Sequence, residues 1–290
     1  MKLFVSVLML LAVGAVGEVV KDFKEPPCEN FFLDGGPPEF KTNGIASQVP
    51  VEGRYVRICQ RYRNKYHYAT LYDTTEKIPV YSAYRYERTA DCKVDRPDIT
   101  WMIEPQLEDI KNSKEMALQR NMKVNNQAYN SQYDNSRYDK GHLFPFCHTN
   151  SDEAAESTFT LTNAAPQRCD FNKMWYSKVE RRVREALKQC LNVGKKAYVV
   201  TGVVPSSGSE YQTLKVGSTV NVPSFFWTAY RCCDNNNKNC DFGGFIMHKE
   251  ADEATDYKDI NELHFKLSAL YTKPFKLYKD AAFNLKRPRE

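Results

Sequence analysis

The chain of 290 residues has no apolar run long enough to cross a bilayer. Its longest uncharged apolar stretch, Leu3–Val16, covers fourteen residues, against the roughly 20 that a spanning helix needs, so a membrane anchor is the weaker reading. Lys2 ahead of that stretch and the small residues Ala15 and Gly17 at its end mark a secretory signal peptide cleaved after Gly17. The rest of the chain is then expected to be soluble and extracellular, with no stable membrane association. No Cys-x-x-Cys pair is present, which removes the usual anchor of a zinc site. No Asn-x-Ser/Thr triplet occurs, so N-linked glycans are not expected. Ser206-Ser207-Gly208-Ser209 has no strand-to-helix elbow around it, which speaks against a serine hydrolase. Internal repeats and low-complexity linkers are also lacking. Charge of one sign is scarce: the net is +5, and loss of Lys2 with the leader lowers it by one, to +4. That is too small to define a polyanion partner by itself.

What is present begins with nine cysteines, all beyond residue 17: Cys28, Cys59, Cys92, Cys147, Cys169, Cys190, Cys232, Cys233 and Cys240. In an exported chain most should be disulfides, and an odd number leaves one free, buried as a thiol or paired between chains. The readable local pair joins Cys232 or Cys233 to Cys240 across the polar loop Asp234–Asn239.

The 273 residues after the leader can bury a full core. Residues 18–50, with Pro26-Pro27 and Gly35-Gly36-Pro37-Pro38, read as an irregular N-terminal arm with Cys28 as its available anchor. Tyr55–Cys59, Tyr66–Tyr72 and Ile78–Tyr86 are rich in β-branched and aromatic residues, and Asp73–Lys77 supplies a turn, which predicts an antiparallel meander. The polar stretch 109–138 reads as a short helix and a long exposed loop. Lys195–Val204, Asn221–Tyr230 and Phe242–His248 are further strands. Ile260, Leu263, Leu267 and Leu270 recur at helical spacing, which predicts an amphipathic helix over 256–271. Mixed strands and helices argue for one α+β domain over 51–272, followed by a basic tail at 273–290.

Chemistry concentrates in Tyr138-Asp139-Lys140-Gly141-His142-Leu143, followed by Thr162-Asn163 and then Asn172 and Glu180. Gly141–Phe144 reads as a strand end carrying His142. Phe159–Asn163 reads as the strand before a helix that Asp170 caps and that runs from Phe171 to about Leu191. Phe171, Met174, Trp175, Val179, Val183, Ala186 and Leu187 form its buried stripe. Asn172, Tyr176, Glu180 and Arg184, spaced by four, drift about 40° per step and make a second stripe beside it. Taken alone, Glu180 and Arg184 read first as an exposed ion pair worth a few tenths of a kcal/mol. The preceding strands alter that balance, because they add a histidine that can take a proton from water. Asn172 can give one oxygen to a hard cation such as Mg²⁺, Glu180 can order the cation's waters, and Lys140 and Arg184 can meet developing phosphoryl charge.

Asp139-Lys140-Gly141-His142-Leu143-x-Pro145, Phe159-x-Leu161-Thr162-Asn163-x-x-Pro166-Gln167 and Phe171-Asn172-x-x-Trp175-x-x-x-Val179-Glu180 together resemble the DNA/RNA non-specific endonucleases of the ββα-metal type, over roughly residues 50–250. The resemblance implies an α+β fold, with a mixed or antiparallel sheet core, a ββα-metal motif and flanking helices. It also implies a function: Mg²⁺-dependent hydrolysis (with Mn²⁺ as the alternative ion) of DNA and RNA bound through the phosphate backbone, leaving 5′-phosphates. In that family His142 would be the general base, Asn172 the direct metal ligand and Glu180 the holder of metal-bound waters. Asn163 would position the histidine region or the phosphate, and Arg184 would contact the phosphate. Two departures stand out. Lys140 occupies a position where the family has arginine, so the charge stays and the bidentate fork is lost. An upstream family arginine has only Arg96 as a candidate here.

His67, His248 and His264 read as structural. His148 lies six residues past His142, a poor spacing for a second metal ligand. Two other functions stay open on the same scaffold: a catalytically weakened nucleic-acid-binding protein, favoured only by Lys140, and a disulfide-rich protein-interaction module.

Overall fold

Segments in which almost every residue is apolar or aromatic, such as Ile78–Tyr86, cannot face water on either side. They occupy the middle of a sheet covered on both faces. The structure, a computed structural model, describes residues 19–24, 26, 28–42, 45–46, 53–87, 99–215 and 217–278. The leader expected at 1–17, Cys92, Arg96 and the tail beyond 278 lie outside the described residues.

In chain order the strands are β1 (Val19–Val20), β2 (Glu39–Thr42), β3 (Ile45–Ala46), β4 (Tyr55–Tyr62), β5 (Lys65–Asp73), β6 (Ile78–Tyr86), β7 (Tyr138–His142), β8 (Ala164–Arg168), β9 (Lys196–Val204), β10 (Phe225–Cys233), β11 (Cys240–His248), β12 (Thr255–Tyr257) and β13 (Phe275–Lys276). The helices are α1 (Asn130–Tyr133), α2 (Asp152–Ser157), α3 (Cys169–Trp175), α4 (Arg181–Asn192) and α5 (Ile260–Leu270). Eight strands form one sheet in the order β1-β4-β5-β6-β9-β10-β11-β12, with every described pairing antiparallel. The expected meander is β4-β5-β6. Its first hairpin closes through Arg63 and Asn64 at φ 49° and 61°, the left-handed backbone that a two-residue turn demands.

The sheet separates two cores. On one face Val199, Val203, Phe226 and Phe245 pack with Phe171, Trp175, Val179 and Val183. On the other, Val200, Trp227 and Ile246 pack with Leu263 and Leu267 of α5 and with Phe23 and Phe32 of the N-terminal arm. The arm is therefore more than an irregular extension. β1 pairs with β4 at the sheet edge, and Phe23, Cys28, Phe32 and Leu33 are buried. The 109–138 stretch is also less exposed than its polarity predicts, since Met116, Gln127, Ala128 and Tyr133 are buried in it. The C-terminal helix starts at Ile260, capped by Asp259, whose carboxylate accepts from Asn261 N at 2.7 Å; residues 256–257 belong to β12.

The helix expected over 171–191 is continuous but not uniform. A π turn, Tyr176–Glu180, separates α3 from α4. Phe171, Trp175, Val179, Val183 and Leu187 are all buried at steps of four. An α-helix drifts about 40° per such step, and the wider π turn rotates the chain back, so that one face stays on the sheet. Phe226 anchors it, with ring centroids 5.0 Å from Phe171 and 5.9 Å from Trp175. The cap is Arg168 rather than Asp170; Asp170 instead accepts from Phe171 N at 2.8 Å.

Cys190 bonds Cys232, tying α4 to β10 across a separation of 42 residues, a loop whose closure is worth about 4 kcal/mol on a chain-entropy account. Cys233 bonds Cys240 across the hairpin, which settles the local pair, and Cys147 is also disulfide-bonded. Cys28 and Cys59 are buried thiols within hydrogen-bonding distance; burial first, then Cys59, pushes the Cys28 thiol up. Cys169 is an exposed thiol. A thiol reagent applied to native protein should modify Cys169 and spare Cys28 and Cys59, as read by peptide mass mapping. Adducts at Cys28 before unfolding would contradict this packing.

Candidate active site

β7 and β8 form a separate two-stranded ribbon in register Asp139↔Gln167, Gly141↔Ala165 and His142↔Ala164, and β8 runs directly into α3. This is the expected ββα unit, with one correction. Its second strand is Ala164–Arg168, whereas Leu161–Asn163 is a 3₁₀ turn. Ala-Ala-Pro-Gln carries no β-branched signal, and Pro166 is tolerated because the ribbon is an edge. A Cβ at Gly141 would lie 2.1 Å from Gln167 Oε1, so a larger residue there would have to displace the Gln167 side chain.

The 3₁₀ turn places Asn163 at the centre of the site's scaffold. Its Oδ1 accepts from Ser82 Oγ at 2.9 Å and Phe144 N at 3.0 Å, and its Nδ2 donates to Phe144 O at 3.1 Å and Thr158 O at 3.0 Å. All four hydrogen-bonding positions of the amide are used. Asn163 thus holds the chain just after His142 to β6 and has no position left for a phosphate. Behind it the buried Glu104 carboxyl meets Thr160 and Thr162 Oγ1 at 3.3 and 3.5 Å. Desolvation pushes Glu104 up to about 8, against the pull of those two hydroxyls.

His142 stands among aromatic rings. Trp101 and Phe159 centroids each lie 4.7 Å from the imidazole, and Phe146 lies 6.2 Å away. Lys140, on the same face of β7 by strand alternation, puts its ammonium 5.9 Å from the Trp101 centroid and 5.2 Å from that of Tyr133. Asn172 donates Nδ2–H to Asp139 Oδ2 at 3.2 Å. A carboxylate only accepts, so the amide nitrogen is committed to it and Oδ1 is the ligating atom Asn172 can offer.

Glu180 ends the π turn and is only partly exposed. Desolvation pushes its carboxyl up to about 8, and Arg184 pulls it down. Arg184 is 8% exposed. His148 Nε2 lies 3.1 Å from the Glu180 carbonyl, and its Nδ1 lies 2.7 Å from Tyr84 Oη. A carbonyl cannot donate, so Nε2 carries the proton and Nδ1 accepts from the tyrosine. Burial lowers His148 to about 4. Both nitrogens are used in tying β6 to the helix, which leaves His148 no role as a second metal ligand. His67 and His264 are structural as expected: His67 Nε2 meets Tyr62 O at 3.1 Å, and His264 Nε2 accepts from Leu277 N at 3.0 Å.

The described contacts therefore fall into three groups: Lys140 and His142 on Trp101, Asn172 on Asp139, and Glu180 with Arg184 and His148. The backbone of one ββα unit joins them. Among the described residues no three His, Cys, Asp or Glu side chains cluster for a metal. The oxygen donors the unit carries are the Asn172 amide oxygen and the carboxylates of Asp139 and Glu180. Such a sparse oxygen set fits a hard cation that keeps most of its waters. Sequence reasoning missed Trp101, Tyr133 and the orienting role of Asp139; the first two carry no local motif, while Asp139 stood inside one.

A family model described as DNA/RNA non-specific endonuclease matches residues 46–273. The chain belongs to the DNA/RNA non-specific endonuclease family. Among curated relatives, the endonuclease domain-containing 1 proteins of human and mouse are each 34% identical to it, over 88% and 77% of this chain and 48% and 42% of theirs. The chain thus spans about half the length of these relatives or less. Among solved structures, a chain of the complex titled for EndoG, EndoGI and the mechanism of EndoG inhibition aligns with TM-score 0.51 at 18% identity, over 73% of this chain and 83% of that one. This likeness supports the α+β fold of the endonuclease family.

Glu104 yields a test of the scaffold. Its folded value, about 8, exceeds the ordinary 4.5. Between those values the folded state holds a proton that the unfolded state has lost, so stability falls as pH rises. Glu104→Gln should lose less of its urea midpoint between pH 5 and pH 8 than the parent does. An equal or larger loss in the variant would contradict the buried, neutral carboxyl.

Proposed function

We propose that the chain is an exported, divalent-metal-dependent endonuclease that hydrolyses phosphodiester bonds of DNA and RNA with little sequence preference. The observation that carries the reading is the ββα unit itself, with Lys140 and His142 on one ribbon strand and the Asn172 amide nitrogen bonded to Asp139, which leaves its oxygen to offer to a cation. Family membership supports the reaction class.

His142 removes a proton from water, and the water oxygen attacks phosphorus. The bond to the 3′ oxygen breaks, leaving a 5′-phosphate and a 3′ oxygen that takes a proton from a second water. Lys140 and Arg184 face the negative charge that builds on the phosphoryl oxygens. Asn172 would hold Mg²⁺ or Mn²⁺ through Oδ1, and Glu180 would orient its waters; a bound cation of this kind supplies Lewis-acid stabilisation of the phosphate and leaving oxygen. Binding through phosphates rather than base edges accounts for sequence tolerance. Export is supported by the charged-then-apolar start of the chain and by disulfides suited to an oxidising compartment.

Lys140 favours one second reading, a protein that binds nucleic acid and turns it over poorly. Plasmid and RNA incubated with the purified protein should be cut in Mg²⁺ and not in a chelator. His142→Ala should lower the rate at least about 100-fold, and rising salt should weaken substrate binding steeply. Binding without metal-dependent cutting above the His142→Ala level would favour the second reading; neither binding nor cutting would overturn both.

A further inference from the structure

Lys140 carries a single charge on a flexible four-carbon stem, without the planar fork by which an arginine fixes its own geometry on a phosphate. Something else must then set where that charge sits. Two rings near it are themselves buried. Trp101 is 7% exposed and Tyr133 is 6% exposed, and the Lys140 ammonium lies 5.9 Å and 5.2 Å from their centroids. Asn130 Nδ2 donates to Trp101 O at 2.8 Å. Because Asn130 and Tyr133 share the short helix α1, the two rings are tied into one unit. Trp101 also packs on Phe159 at 5.2 Å, and the His142 imidazole is 4.7 Å from the same indole.

We infer that Trp101 is a positioning residue for this site, its indole holding the Lys140 ammonium and the His142 ring in fixed relation while Tyr133 provides the second face for the ammonium. The inference rests on the nuclease reading of the site and adds residues to it. The low exposure of both rings rules out the simpler use of an aromatic side chain near nucleic acid, as a platform on which a base stacks. Their attraction for the ammonium comes from the ring faces, so the tyrosine hydroxyl is dispensable for it.

A double-mutant cycle on the full chain separates this from a merely structural role. Trp101→Leu, Lys140→Met and the double variant are compared for binding of a labelled single-stranded oligonucleotide in chelator, and for kcat and KM with Mg²⁺. Trp101→Leu should weaken oligonucleotide binding about 3- to 10-fold and should have little further effect when combined with Lys140→Met. Trp101→Phe should recover most of the binding. Tyr133→Phe should match the parent and Tyr133→Leu should not, which keeps the test open if Trp101→Leu fails to fold. Equal effects of Trp101→Leu in the parent and in the Lys140→Met variant, or no recovery by Trp101→Phe, would overturn the inference while leaving a cutting wild type as a nuclease. A wild type that neither binds nor cuts would overturn both.

Discussion

The site depends on one buried amide. Asn163 spends both lone pairs of its oxygen and both hydrogens of its nitrogen on four groups from three parts of the chain: Ser82 on β6, both main-chain groups of Phe144, and Thr158 O. A fully satisfied buried amide is rigid, because any rotation leaves a desolvated polar atom without a partner. It fixes the exit of β7 to the large sheet. The two-stranded ribbon would otherwise be marginal by itself. With Asn163 in place the ribbon inherits the rigidity of an eight-stranded sheet, and so does the backbone that carries Lys140 and His142.

The helix is fixed by a different device. Its buried residues repeat every four positions, and an α-helix would carry such a row around its axis. The π turn at Tyr176–Glu180 corrects that rotation and keeps Phe171 through Leu187 on the sheet. The same turn sets the Glu180 carbonyl against His148, so the packing correction and the placement of a site carboxylate are one feature. Glu180 and Glu104 both sit where desolvation favours the neutral carboxyl, and the low dielectric that does this also strengthens any interaction with cationic charge brought there.

Much of this was legible in the sequence where periodicity carried it. The meander from Tyr55 to Tyr86, the apolar row from Phe171 to Leu187 and the late strands all follow from side-chain spacing. The order His142, Asn163, Asn172, Glu180 was enough to identify the family. Legibility failed where tertiary contacts override local pattern. Ala164–Arg168 became the ribbon strand without β-formers because Asn163 turned the chain just before it. The N-terminal arm looked irregular yet buries Phe23 and Phe32 against the sheet. Trp101 and Tyr133 had no motif, because an aromatic face acquires meaning only when a lysine from another segment lies over it.

The central claim is that three separately held groups, Lys140 with His142, Asn172 with Asp139, and Glu180 with Arg184, serve one metal-assisted centre. A crystal structure with Mn²⁺, located by its anomalous scattering, tests this most directly. The account predicts a single ion ligated directly by Asn172 Oδ1, with Glu180 reaching its waters and His142 facing the same water-filled space. An ion bound elsewhere, or His142 separated from the ion by the body of the ribbon, would contradict it.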